Sequence, residues 1–407
     1  MDTRVQCCVA GGGPAGMMLG VLLARAGISV AVLEKHADFL RDFRGDTIHP
    51  STLEVLHELG WLDDVLKLPH QKVPNLTAQF GAQRLQLADF SKLPVKAPFI
   101  AMMPQWDFLN FLSQKGGAYP GFKLMMETEA LDLVIERGAI TGVHAKGARG
   151  PLTIKADLVV AADGRASTLR AATGFSARQF GAPMDALWFR LPRMPSDSDQ
   201  TQGRFDAGRI FVMLNRGDYW QCAFVIPKGG DGGVRAAGLN AFRNSVGTLL
   251  PFDASRAHAI QSLDEVKLLV VQVDRLKEWA RPGFLCIGDA AHAMSPVGGV
   301  GINLAIQDAV AAANILSAPL KENRLIFDDV KRVQARREFP TRMTQRLQLA
   351  MQNNIIAPAL AAQGPVTAPL AVRLLAGIPG LNRIPARLIG LGVRPEHVAP
   401  LIRDARA

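Results

Sequence analysis

Gly11-Gly12-Gly13-Pro14-Ala15-Gly16 stands near the N-terminus between two apolar runs. Gly11, Gly13 and Gly16 have the G-x-G-x-x-G spacing. The first glycine permits a tight turn, the second lets backbone approach a pyrophosphate, and the third lets a helix close on a strand. Upstream, residues 5–10 form an apolar run of strand length; downstream, residues 17–26 are apolar helix formers stopped by Gly27. Residues 28–33 read as a second strand that delivers Glu34 and Lys35. Strand, glycine turn, helix, strand and acid in that order begin a dinucleotide-binding βαβ unit. Glu34, with Lys35 beside it, is placed to accept from ribose hydroxyls. The pyrophosphate would rest at Pro14, Ala15 and Gly16, where the helix N-terminus favours negative charge.

The rest of the chain is compatible with a large, multi-part enzyme. Its 407 residues exceed one ordinary domain, so two or three are expected. No uninterrupted apolar stretch is expected to reach membrane-spanning length and no signal-type N-terminus is present, so the expected location is cytoplasmic. Cys7, Cys8, Cys222 and Cys286 fall in apolar runs without metal or dithiol spacing and read as core residues, so no metal site is expected. The net charge of +10 is concentrated in residues 331–407, which hold twelve Lys or Arg against Glu338, Glu396 and Asp404. No nucleic-acid motif accompanies this excess, and nucleic acid is not expected as a partner. The arginines are interleaved with Leu374, Leu375, Ile378, Leu381, Ile384, Leu388 and Ile389. That pattern describes closing helices with solvated arginines. Peripheral attachment to the acidic inner face of a membrane stays open as the alternative.

Periodicity outlines an α/β fold: a Rossmann-like nucleotide-binding domain with an inserted β-sheet substrate domain and C-terminal helices. The nucleotide domain is discontinuous, over residues 1–71, 100–179 and 275–345. Residues 72–99 and 180–274 form the β-rich substrate domain, and 346–407 a basic, apolar helical segment. Within these, helices are expected over 51–59 and 105–114, paired strands over 123–143, a buried strand over 157–162, and further strands over 209–214, 219–226 and 266–273. Trp188, Phe189, Phe205, Phe211, Tyr219, Trp220 and Phe224 are each either sheet core or lining for an apolar substrate, core being favoured residue by residue.

Two more motifs follow the first. One is Ala161-Ala162-Asp163-Gly164-Arg165-Ala166-Ser167-Thr168-Leu169-Arg170. The other is Gly288-Asp289-Ala290-Ala291-His292, running into Pro296-Val297-Gly298-Gly299-Val300-Gly301-Ile302-Asn303. Asp289 supplies an acceptor at a strand end, and the glycines after it let backbone approach a flat ring. A helix from Ile302 would aim its free N–H groups at that ring. With these three motifs in order over residues 1–345, the chain resembles the class A flavoprotein monooxygenases of the para-hydroxybenzoate hydroxylase and ubiquinone-pathway hydroxylase type.

The resemblance implies FAD as cofactor, NAD(P)H and O2 as co-substrates, and hydroxylation of an aromatic or similarly apolar small molecule through a flavin C4a-hydroperoxide. It implies that Asp163 serves FAD and NAD(P)H handling, that Asp289 holds a ribityl hydroxyl, and that Gly299, Val300, Gly301, Ile302 and Asn303 contact the flavin, with Pro296 on the reacting side. Arg44 matches an arginine near the FAD phosphates and the nicotinamide, and is grouped with Pro296 as catalytic. Gln105 matches a ribityl contact. Ala130 matches an adenine contact where the family usually has valine. His49 and His292 are candidate acid–base groups, with His292 read first as a packing or hydrogen-bonding residue. A chain ending at residue 407 is expected to lack the thioredoxin-like C-terminal domain of phenol-hydroxylase-type relatives.

Three other readings compete with this one. A flavin halogenase would carry W-x-W-x-I-P, and Cys222-Ala223-Phe224-Val225-Ile226-Pro227 lacks both tryptophans. A geranylgeranyl-reductase-like enzyme acting on a lipid alkene without oxygen is the enzymatic alternative. A flavin-binding sensor or assembly protein is the non-enzymatic one.

Overall fold

The computed structural model describes residues 2–40, 47–378 and 380–405. Its central sheet places Gly150–Ala161 parallel to Asp2–Ala10, then Val30–Leu33, then Phe122–Met125. All four residues of Val30–Leu33 are buried, as expected for a parallel strand covered on both faces. On the other side of Gly150–Ala161, Phe284–Cys286 pairs in parallel with residues 159–161. The strand ends bearing Ala10, Leu33, Ala161 and Cys286 therefore lie side by side, and each runs into one of the segments picked out by sequence.

The helices Pro14–Arg25 and Gln105–Gly116 fall within a few residues of the sequence expectation. Gly20 lets the first helix sit on the sheet, because a Cβ there would stand 2.4 Å from Val32 and 3.1 Å from Phe122. Three expectations need correcting. Strand 28–33 begins at Val30, because Gly27, at φ +87°, ends the helix and Ile28 still donates to the Leu23 carbonyl. Residues 123–143 are not one set of paired strands: Phe122–Met125 returns to the parallel sheet, and Glu129–Glu136 with Ala139–Gly147 forms the hairpin. Of residues 266–273, Lys267–Leu269 alone is strand.

A second sheet runs in the order Lys267–Leu269, Met184–Pro192, Tyr219–Pro227, Arg209–Asn215, Gln202–Asp206, Asn75–Phe80, Gln83–Asp89. Gly203 pairs with Ala78, which ties the 75–89 hairpin to strands more than a hundred residues downstream. One face buries Phe189, Phe211, Trp220 and Phe224 against Phe242 and Val246. Those four aromatics are sheet core. The opposite face, at Ile210 and Val225, is covered by Ile356 and Ala359.

Gly301–Lys321 and Phe327–Met351 are the long helices. The segment Val297–Lys321 is long and apolar enough to cross a membrane by length and composition, contrary to expectation, but 72% of its apolar window is buried inside the protein. After Met351 the chain becomes a strap. Ala368 packs with Ala78 and Phe80, and Arg383–Gly390 seats Ala386 beside Phe90, Leu93, Ile100 and Met102. Ile402 is buried at the far end, where Arg25 Nε donates to its carbonyl at 2.8 Å.

Candidate active site

The three glycine-bearing segments converge. Gly11, at φ +109°, faces the Asp163 segment: a Cβ there would stand 2.4 Å from the Ala162 carbonyl oxygen and 2.8 Å from Asp163 Cα. Gly16 closes the turn, since a Cβ would stand 2.0 Å from the Gly11 carbonyl oxygen. Gly13 differs, because a Cβ there would meet nothing within 4 Å among the described residues. It caps the Pro14–Arg25 helix without any side-chain bond, with Pro14 in the first turn, so the helix N-terminus opens beside space that no described residue fills. Gly288, at φ +58°, fits between two methyls: its Cβ would stand 3.2 Å from both Ala15 Cβ and Ala305 Cβ.

At one end of this cradle Glu34 accepts from Gly12 N at 3.2 Å and from His36 N at 3.0 Å, and it also meets the His36 ring. Lys35 is exposed beside it. Thr128 N donates to the Glu34 carbonyl at 2.8 Å, which brings Ala130, half-buried and two residues on, to the same end. Toward the middle, Asp163 Oδ2 accepts from Thr168 N at 3.0 Å, while Oδ1 is buried without a partner among the described residues. Burial raises the Asp163 carboxyl above its ordinary range despite the surrounding donors. Arg165 Nε donates to Asp289 Oδ2 at 3.0 Å, joining the second motif to the third.

At the other end, Gly298 and Gly299 take φ +79° and +64°. Thr47 Oγ1 donates to the Gly299 carbonyl at 2.8 Å, and a Cβ on Gly299 would stand 2.6 Å from that hydroxyl. The Asn303 side chain is wholly engaged in the fold. Its Oδ1 accepts from His49 N and Thr52 Oγ1, both at 2.8 Å, and its Nδ2 donates to the Thr47 carbonyl at 3.0 Å. What Asn303 can offer a ligand is its helix N-terminal N–H, shared with Gly301 and Ile302 at the start of Gly301–Lys321. Val300 caps that helix, and Pro296, half-buried, precedes the turn. Gln105 is buried at the start of its helix, three residues after Met102, which pairs with Thr47. Arg44 lies outside the described residues.

His49 and His292 are both buried. Nδ1 of His49 donates to the Ile389 carbonyl at 2.8 Å, which leaves Nε2 as the bare ring nitrogen, buried without a partner among the described residues. Burial lowers its pKa to about 4, with the Ile389 bond acting weakly the other way, so the ring is neutral at pH 7. His292 Nε2 lies 2.6 Å from Asp308 Oδ2, which also accepts from Gly288 N at 3.1 Å. Arg337 Nε donates to Asp308 Oδ1 at 2.9 Å, and Arg337 Nη1 to Glu396 Oε1 at 3.1 Å. Burial opposes ionisation of Asp308, but His292 and Arg337 outweigh it and hold the carboxyl below its ordinary range. His292 is thus a support beneath the Gly288 turn, in line with its first reading.

The sequence reading missed Asp308, Arg337 and Glu396. Asp308 alone had a signal, as the one charged residue within the apolar helical run 302–313. It also missed a cavity of about 280 Å³. Val297, Gly298 and Val300 form one side of it, Met343, Leu347 and Met351 of Phe327–Met351 another, and Leu388, Ile389 and Val393 the roof.

The elements fit a bound dinucleotide: an uncapped helix N-terminus facing open space at Gly13, acceptors at Glu34, Asp163 and Asp289, and a second helix N-terminus at Gly301–Asn303 beside the apolar cavity. Known proteins agree with this geometry. Residues 4–346 match a family model described as an FAD binding domain. The chain is 31% identical over 357 residues to a 6-methylpretetramide 4-monooxygenase of Streptomyces rimosus, an alignment spanning 87% of this chain and 84% of that protein. It superposes with a TM-score of 0.76 on p-nitrophenol 4-monooxygenase of Pseudomonas putida, at 20% identity over 96% of this chain and 98% of that one. On an anhydrotetracycline hydroxylase of Streptomyces rimosus the TM-score is 0.74, at 22% identity over 97% and 77% of the two chains.

Proposed function

The chain belongs to the FAD-binding-domain family of class A aromatic monooxygenases, and from that premise we propose how its residues divide the work of hydroxylating an aromatic small molecule with NAD(P)H and O2. Bound FAD would supply the redox chemistry, with two electrons from NAD(P)H, one oxygen atom of O2 going to an electron-rich ring and the other to water.

The protein's share is holding, orienting and excluding water. Gly11, Gly13, Pro14, Ala15 and Gly16 seat the pyrophosphate on the first helix N-terminus. Glu34 and Lys35 hold the ribose, and Ala130 flanks the adenine. Asp163 and Asp289 take the middle of the cofactor, with Gln105 alongside. Gly299, Val300, Gly301, Ile302 and Asn303 offer backbone N–H groups and a helix dipole to the ring edge where negative charge gathers on reduction. Pro296 faces the reacting side, and Arg44 serves the coenzyme. The observation that carries this reading is the mutual closeness of three distant segments, with Gly11 against Asp163, Arg165 on Asp289, and Gly288 between Ala15 and Ala305.

The test is turnover of the FAD-loaded protein with NADPH or NADH under ¹⁸O2 against a panel of phenols. The expected result is one ¹⁸O atom in the product for each O2 consumed. Oxygen-independent reduction of an isoprenoid alkene would support the reductase alternative instead.

A specific observation also favours peripheral membrane contact. Leu370, Leu374, Ile378 and Ile384 are each about half exposed on the C-terminal strap, next to Arg373, Arg383 and Arg387. Salt-sensitive pelleting with acidic liposomes is expected, and its absence would remove this second reading.

A further inference from the structure

The roof of the cavity comes from residues 388–393, beyond the 4–346 match to the family model. Leu347, Gln348 and Met351 also lie beyond that match, whereas Val297, Gly298, Val300, Met343, Thr344 and Arg346 lie within it. Its lining is mostly apolar, and two of its three polar side chains are already committed. Gln348 accepts from Ser295 N at 3.2 Å and donates to the carbonyls of Ser295 and Val297 at 2.8 and 3.0 Å. The Thr344 hydroxyl donates to the Pro340 carbonyl at 2.9 Å. Arg346 remains, exposed at the rim and without a carboxylate partner among the described residues.

Other cations stand near Arg346. Arg178 pairs in register with Arg275, and their guanidiniums lie 5.3 and 5.2 Å from the centroid of the same Phe180 ring. Burial and the cations Arg342, Arg178 and Arg346 lower the pKa of Arg275, with Glu338 as the opposing acid.

We infer that this cavity is the substrate site and that it takes a compact aromatic ring system bearing an acidic substituent, whose charge meets Arg346. The inference rests on the monooxygenase reading above and adds the substrate's charge and the residues that select it. Three features argue for it. The Met343 and Met351 thioethers favour aromatic edges. At about 280 Å³ the space is near the lower end of ligand cavities, which run from roughly 300 to 1,000 Å³. An unpaired guanidinium beside other cations is best satisfied by a carboxylate or phenolate.

Two variants and one calorimetric titration test it, with FAD content measured separately by absorbance. The probes are 1-hydroxy-2-naphthoate, its neutral counterpart 1-naphthol, and palmitate. The wild type is expected to bind the naphthoate roughly tenfold more tightly than the naphthol, and Arg346→Gln to bring the two together. Leu388→Trp, filling the space under the roof, is expected to weaken both at least tenfold with FAD content unchanged. Equal affinity for the two naphthalenes, preference for palmitate, or naphthoate binding untouched by both variants would overturn the inference. Arg346-dependent binding in a protein that holds no FAD would sink the flavoenzyme reading and leave the cavity's charge selection standing.

Discussion

Arg337 Nε lies 2.9 Å from Asp308 Oδ1, with both side chains almost wholly out of water. Because the other Asp308 oxygen accepts from Gly288 N, and Arg337 also reaches Glu396 on the strap, this pair connects the turn beside Asp289 to the C-terminal segment. Asp308→Asn should destabilise the fold by about 3–5 kcal/mol, since the buried Arg337 guanidinium loses one of its two countercharges and keeps only Glu396. Urea unfolding of the FAD-loaded protein measures this; a loss below about 1 kcal/mol would show that the network bears little of the stability.

Two glycines of the first motif should fail in different ways. Gly11→Ala forces a side chain onto φ +109° and against the Ala162 carbonyl, so the apoprotein itself should lose about 1–3 kcal/mol. Gly13→Ala has φ −74° and a Cβ that meets nothing. Its apoprotein should melt like wild type while FAD binds at least tenfold more weakly. Thermal melts of the stripped proteins, with FAD titration, separate the two; normal FAD affinity in Gly13→Ala would move the pyrophosphate elsewhere.

Asp289→Ala should weaken FAD retention by roughly 5- to 150-fold, the cost of about 1–3 kcal/mol for a buried group left without its acceptor. Arg165→Ala is the control, because it removes the 3.0 Å partner and leaves the carboxylate. FAD affinity that falls in the arginine variant and not in the aspartate variant would reassign the middle of the cofactor to Arg165.

His49 sets a pH dependence. Its folded pKa, about 4, is below an unfolded value of about 6.5, so the unfolded chain binds the extra proton between these limits. Stability from this residue is complete above about pH 6.5 and is lost as pH falls toward 4, by up to about 3 kcal/mol. His49→Asn keeps a donor for the Ile389 carbonyl without titrating. Unfolding free energies of the two proteins at pH 7.5 and 5 should therefore diverge at the lower pH, and parallel curves would contradict the assignment.

The cofactor cradle was legible because its requirements are local. A glycine that must take φ +109° directly after a strand, or an acid that must follow a strand end, leaves a short pattern that spacing reveals, as at Gly11 and Glu34. Helix and strand ends were less legible. The Phe122–Met125 strand was mistaken for part of a hairpin because a four-residue segment interrupted by Lys123 suits a parallel strand and an antiparallel one equally. Asn303 was found through its motif, but its side chain serves Thr47, His49 and Thr52, about 250 residues away in sequence.

By itself, then, the sequence determined the dinucleotide cradle, its three segments and the α/β class, because glycine conformation, helix dipoles and strand-end acids act over a few residues. The tertiary structure decided the rest. The buried group of Gly288, His292, Asp308, Arg337 and Glu396 and the cavity under Leu388, Ile389 and Val393 are made by segments that meet only when the strap folds back across the molecule. No local spacing encodes such contacts, because each depends on which distant surface is left to bury the next.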